Sequence, residues 1–196
     1  YSEEQHLKPV WKDSSSNNYL FFSFLEWWSI PGEKIYRPYI DGSVKRFGNA
    51  SCRFGMVNAR LALGGGFDSI PLNLQPGFGD FTIDCWILWK ELPMPGERIS
   101  EPYPIMVWTN GGYWTDYLLF GIYVETIGSY KLVLQYCNGS TYFRCISDNL
   151  ADLIQVSTWY HVAAVRYGTS FKLYWGGNAV ANGTHSGSIP ETPWGM

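Results

Sequence analysis

The sequence predicts an all-β chain folded as a two-sheet antiparallel sandwich with almost no helix. Three stretches carry that expectation. Residues 79–87 read Gly-Asp-Phe-Thr-Ile-Asp-Cys-Trp-Ile and alternate at the two-residue period of a strand with one buried face. Residues 159–166, Trp-Tyr-His-Val-Ala-Ala-Val-Arg, form a second apolar strand. Residues 171–175 alternate again, with Phe171, Leu173 and Trp175 on one face and Lys172 and Tyr174 on the other. Gly176-Gly177 follows, and such a pair can supply the positive φ angles of a two-residue primed turn. Counting outward from that turn sets Trp175 opposite Asn178, Tyr174 opposite Ala179 and Leu173 opposite Val180. The same count sets Asn182 opposite Phe171, on its core-facing side, unless Gly183 has already ended the strand.

The remaining elements follow in chain order. Residues 1–17 are polar and Ser/Asn-rich towards the end, as expected of an N-terminal arm or leading loop. Residues 18–196 form the sandwich. Residues 19–28 are apolar and read as a strand, closed by Trp27-Trp28 and a Pro31-Gly32 turn. Residues 35–43 carry Pro38 and Gly42 and suit a loop better than a central strand. Short strands are expected at 59–63 and 70–74, with Gly64-Gly65-Gly66 as a turn. A Pro- and Gly-rich loop covers 93–104. Residues 105–108, 117–125, 131–137 and 142–147 read as an antiparallel meander, and 149–153 as one helical turn.

Composition bounds the function. One domain of 196 residues buries a substantial core. Aromatic residues make up 18%, including 10 tryptophans, more than a core needs, which suggests stacking sites or interfaces. Charged residues are only 16%, as expected of a surface partly covered by partners. A net charge of −3 gives no general attraction for nucleic acid, and the longest apolar run, 117–124, is too short to cross a bilayer. The chain starts at Tyr1 and shows no signal peptide, as a processed or excised segment would.

The "GDFTIDCWI" stretch, the "WYHVAAVR" strand, the "FKLYWGG" hairpin and the "RFGNASCRF" segment together resemble the laminin-G-like, concanavalin A-type jelly roll. Its members carry "FTIE-W-V", "W-HVA" and "LY-NG" strands in that order. The resemblance covers roughly residues 18–190. Trp175 stands where the family prefers a small or β-branched residue, and Gly176 where Asn is usual. Members continue after the hairpin with a further strand pair, whereas this sequence runs to Thr192-Pro193-Trp194-Gly195-Met196. The expectation is that the chain is cut, or that another segment closes the sandwich.

The resemblance implies a binding or assembly scaffold, of the kind found in phage and other viral structural proteins and in secreted lectin-like proteins. The leading reading is a non-catalytic structural or interaction module, extracellular or at a virion surface, that self-associates or joins other subunits of a particle or fibre. A secreted carbohydrate-binding lectin domain is the alternative, and a glycoside hydrolase the third. Hydrolases on this fold need two carboxylates on one strand face, and an E-x-D-x-x-E spacing is absent. Asp80 and Asp84 could share a face, but Asp80 lies at the strand entrance. His161 occupies a position that the family uses structurally.

The best glycan-binding candidate is the loop 108–116, where Trp108, Tyr113 and Trp114 could stack on sugars and Asn110 and Asp116 satisfy hydroxyls. The bland alternative is that its tryptophans plug the sandwich end or meet a neighbouring subunit. Trp27, Trp28 and Trp194 are interface candidates, for a homo-oligomer in which a neighbour's strand covers an open edge. Sequons at Asn49, Asn138 and Asn182 are glycosylation candidates. Cys137 and Cys145 are the candidate disulfide. They face each other only if the loop is centred on Thr141, whereas an Asn138-Gly139 turn would set Cys137 opposite Ser140. Cys52 and Cys85 read as buried thiols. No cofactor is expected; calcium is the one candidate metal, since related lectin-like domains hold it in loops, and Asn110, Asp116, Asp148 and Asp152 are the oxygen ligands to watch.

Overall fold

The computed structural model describes residues 8–12, 20–25, 39–48, 51–53, 59–63, 79–92, 102–109, 116–139 and 141–187. The chain divides into two compact units, residues 1–72 with 193–196, and residues 73–192. In the first, β1 (Lys8–Lys12), β2 (Leu20–Leu25) and β5 (Ala59–Leu63) form an antiparallel sheet in the order β1-β2-β5. Residues 8–12, read from sequence as arm or loop, thus pair as a strand. In the same unit β3 (Tyr39–Asp41) and β4 (Ser51–Arg53) make a separate two-stranded ribbon. The carboxylate of Asp41 accepts hydrogen bonds from the Ser43 hydroxyl (2.5 Å) and N–H (2.9 Å) and pairs with Arg53 at 3.5 Å. These bonds hold its pKa below the usual 3.8.

The second unit is a sandwich of two four-stranded antiparallel sheets. One is a meander of β7 (Tyr103–Thr109), β8 (Asp116–Val124), β9 (Tyr130–Asn138) and β10 (Tyr142–Ile146), paired in sequence order. The other joins β6 (Phe81–Leu88) to β11 (Trp159–Tyr167), β12 (Ser170–Trp175) and β13 (Asn178–Thr184) in the order β13-β12-β11-β6. The only helix among the described residues is the 3-10 turn Ala151–Leu153. Alternation turns Leu118, Phe120 and Ile122 of β8, Leu132, Leu134 and Tyr136 of β9, and Phe143 and Cys145 of β10 inward. They meet Ile83, Val162, Ala164, Phe171, Leu173 and Trp175 of the facing sheet. Phe143 and Phe171 lie 4.7 Å apart between ring centroids, and Trp89 stacks on Trp175 at 6.0 Å. A wholly buried ring such as Phe171 stabilises a fold by about 3–5 kcal/mol relative to Ala.

The hairpin corrects the regular count. Gly176 (φ 58°) and Gly177 (φ 87°) adopt the primed turn, with Trp175 opposite Asn178 and Tyr174 opposite Ala179. A bulge then intervenes, so that Leu173 faces Ala181 rather than Val180, Lys172 faces Asn182, and Phe171 faces Gly183. The extra residue moves Asn182 from the expected core side to the exposed side of the strand. Gly183 is left inward, where an added Cβ would lie 3.2 Å from Phe143 and 3.3 Å from the Cys145 sulfur.

The Cys137–Cys145 disulfide is likewise not formed. The turn sets Cys137 opposite Tyr142 and Cys145 opposite Leu134. The two cysteines are therefore offset by three residues, roughly 10 Å along the strand and on opposite faces, beyond the ~7 Å that a disulfide spans. All four cysteines are free thiols.

Candidate functional site

The side chains of β6 that point away from the core are Thr82, Asp84, Trp86 and Leu88, because Ile83, Cys85 and Ile87 take the inner positions. Pairing with β11 sets His161 opposite Trp86 and Trp159 opposite Leu88. The His161 ring tilts against Trp86 with centroids 5.3 Å apart, and its Nε2 lies 3.2 Å from Asp84 Oδ2. The hairpin tip is tied to the same place, since the Gly176 N–H donates to the His161 carbonyl at 2.8 Å. Trp86, Trp159, Tyr160, His161, Gly176 and Gly177 line an open concavity of about 420 Å³.

Its chemistry suits recognition. Trp86 is 37% exposed, offering indole surface to a flat apolar partner, and neither turn glycine has any atom within 4 Å of an added Cβ. His161 and Asp84 are both solvent-accessible, so their pair adds at most about 1 kcal/mol to stability; it serves to orient the imidazole beside the ring. Asp84 thus has a specific partner. Asp80 accepts the Gly168 N–H at 2.6 Å. Four residues of extended chain set the Cα atoms of the two roughly 13 Å apart, against carboxyl separations of about 5–9.5 Å in glycosidases.

Three of the thiols are held in their protonated form. Burial pushes Cys52, Cys85 and Cys145 up to about 11, the nearby Asp84 charge adding to the effect at Cys85. Such thiols stay protonated at neutral pH. Among the described residues no three His, Cys, Asp or Glu side chains converge on a common metal position. Asp148 and Asp152 are both exposed.

The loop singled out from sequence falls largely elsewhere. Trp108 lies in β7 at the register position opposite the buried Leu118, and Asp116 opens β8 opposite Asn138. Asn110, Tyr113 and Trp114 lie outside the described residues, as do Trp27, Trp28, Trp194 and the sequon residue Asn49. Asn138 ends β9. The Trp86–His161–Asp84 group escaped sequence reasoning because Asp84 and His161 are 77 positions apart and meet only through the β6–β11 register. The available signal was outward phase: Asp84 and Trp86 alternate with Ile83, Cys85 and Ile87.

A family model of laminin-G type, described as the concanavalin A-like lectin/glucanases superfamily, matches residues 64–195. The chain belongs to this family. Its two-sheet sandwich is the concanavalin A-like jelly roll, a fold that includes both lectins and glucanases. No curated protein matches the chain by sequence. Among solved structures, it is similar to domains LG4-5 of the mouse laminin alpha1 chain, at 15% identity over 67% of this chain and 31% of the laminin chain, with a TM-score of 0.41. It is also similar to the enzymatically active domain of tailspike protein 2 of bacteriophage CBA120, at 15% identity over 86% of this chain and 25% of the tailspike, with a TM-score of 0.45. The chain thus spans about a third or less of the length of these structures.

Proposed function

We propose that this chain is a non-catalytic recognition module of an extracellular or virion-surface assembly, associating with further copies of itself or with other subunits. We infer that it engages its partner through the outer face of the β13-β12-β11-β6 sheet. The observation that carries the reading is the open aromatic concavity of Trp86, Trp159 and His161, with its imidazole braced by a single carboxylate. Exposed, pre-positioned rings give contact area at low entropic cost, which suits binding. Acid–base hydrolysis would need a second carboxylate at a matching distance, and Asp80 is too far along the strand to supply it.

The lectin reading draws on the same rings, since indole faces stack on the apolar faces of sugars. A glycan array with the intact chain, read beside the double variant Trp86→Ala/Trp159→Ala, tests recognition at this face. The expected result is retained folding with at least tenfold weaker binding to whichever glycan or native subunit the unaltered chain holds. Undiminished binding by the folded variant would overturn the assignment of the face. Turnover of an oligosaccharide that disappears in Asp84→Asn would overturn the non-catalytic reading.

A further inference from the structure

The opposite sheet carries an arginine held ready for a ligand. On β10, Phe143 and Cys145 point inward, so Tyr142 and Arg144 point outward. Arg144 pairs across the ladder with Gln135 of β9, which is only 4% exposed despite facing away from the core. The Gln135 carbonyl accepts from Arg144 Nε at 3.0 Å and from the Tyr142 hydroxyl at 3.2 Å, and its amide donates to the Tyr117 hydroxyl at 3.0 Å. This network fixes the amide orientation. Burial holds the Tyr117 and Tyr142 phenols above their ordinary pKa, so Tyr142 remains a donor at neutral pH. The Arg144 guanidinium also lies 5.4 Å from the ring centroids of both Tyr123 and Tyr142.

Two tyrosine rings and one amide therefore set the plane of this guanidinium, through its Nε bond to Gln135 and a side-chain hydrogen bond with Tyr142, and leave further N–H groups of its five to a ligand. Among the described residues no carboxylate pairs with it, and the Glu125 carboxylate is bound to Lys131 at 2.8 Å. A guanidinium held in this plane, with donors left over and its rotamer entropy already lost to the fold, favours a planar oxyanion that can accept two parallel bonds. One unneutralised cation matches a singly charged carboxylate better than a phosphate dianion. Tyr142, 53% exposed and beside the fork, offers a ring on which the apolar face of a sugar can lie.

We propose that Arg144 anchors a second ligand site, distinct from the Trp86 face, which takes the carboxylate of an acidic sugar (a uronic or sialic acid residue) while Tyr142 stacks on its ring. The sugar is chosen over an acidic peptide because the half-exposed Tyr142 ring beside the guanidinium is flat and can take an apolar sugar face.

The test titrates the intact chain, at physiological salt, with glucuronic acid, N-acetylneuraminic acid, glucose and N-acetylglutamate amide, following amide NMR shifts. Saturable shifts at residues 135, 142 and 144 are expected with at least one acidic sugar, with glucose and the glutamate derivative at least tenfold weaker. Arg144→Lys keeps the charge but loses the fork, and is expected to weaken the acidic sugar about tenfold with an unchanged urea midpoint. Tyr142→Ser serves as the second variant should Arg144→Lys fold poorly, with a similar loss expected. Trp86→Ala, on the other sheet, is expected to leave these affinities unchanged. Equal binding of glucose, equal or tighter binding of the glutamate derivative, no binding of either acidic sugar, or full retention in both variants would each overturn the proposal.

Discussion

The bulge in the β12–β13 hairpin makes two neighbouring residues exchange roles, and paired substitutions expose that exchange. In the observed register Asn182 is exposed opposite Lys172, and Gly183 faces Phe171 on the inside. Asn182→Glu then places a carboxylate across from an exposed lysine. A cross-strand pair of opposite charges gives about 0.2–1 kcal/mol, so the variant is expected to be neutral or slightly more stable, with the gain fading in high salt. Gly183→Val introduces a Cβ 3.2 Å from Phe143, 3.3 Å from the Cys145 sulfur and 3.4 Å from its Cβ, with two further methyl groups to house. Overpacking of this kind costs about 1–3 kcal/mol. The assay is urea unfolding followed by tryptophan fluorescence, comparing midpoints at constant slope. Without the bulge, Asn182 would face Phe171 and the glutamate would be buried, at a cost of several kcal/mol. A destabilised Asn182→Glu together with a tolerated Gly183→Val would refute the bulged register.

Two further outcomes follow from groups outside the hairpin. Asp41, whose pKa is lowered chiefly by the Ser43 hydroxyl and then by the Ser43 N–H, supports the fold above the unfolded value near 3.8, and that support is lost as pH falls through its lower folded value. Asp41→Asn is therefore expected to flatten the fall in stability on acidification below about pH 4; an unchanged acid limb in denaturant titrations would contradict the Ser43 contacts. The four cysteines are expected to remain thiols, and Cys145, 2% exposed with its pKa pushed up to about 11, to resist iodoacetamide at pH 7.5 until the chain is unfolded. Intact mass without reductant checks both, and a Cys137–Cys145 linked peptide would refute the strand offset.

Local chemistry was enough to read much of the fold from the chain. The alternation of Phe81, Ile83, Cys85 and Ile87 places β6, and the aliphatic run of β11 and the alternation of β12 place their strands, because a two-residue period can bury one face of a strand only one way. Gly176-Gly177 places the hairpin tip, because two consecutive positive φ angles are cheap only without a Cβ. The meander of β7 to β10 follows from short connections between apolar runs.

What lay beyond the sequence is what depends on register between distant or bulged strands. A bulge costs little locally and leaves no obligatory residue signature, yet it turned Asn182 outward and Gly183 inward. The offset of Cys137 from Cys145 was set by where the β9–β10 turn closes, a choice that the sequence left open. Asp84 and Trp86 meet His161, and Gln135 gathers Arg144, Tyr142 and Tyr117, across ladders that join residues up to 77 positions apart. The periodicity of each strand determines which side chains face out; only the packed sheets decide which of them stand together.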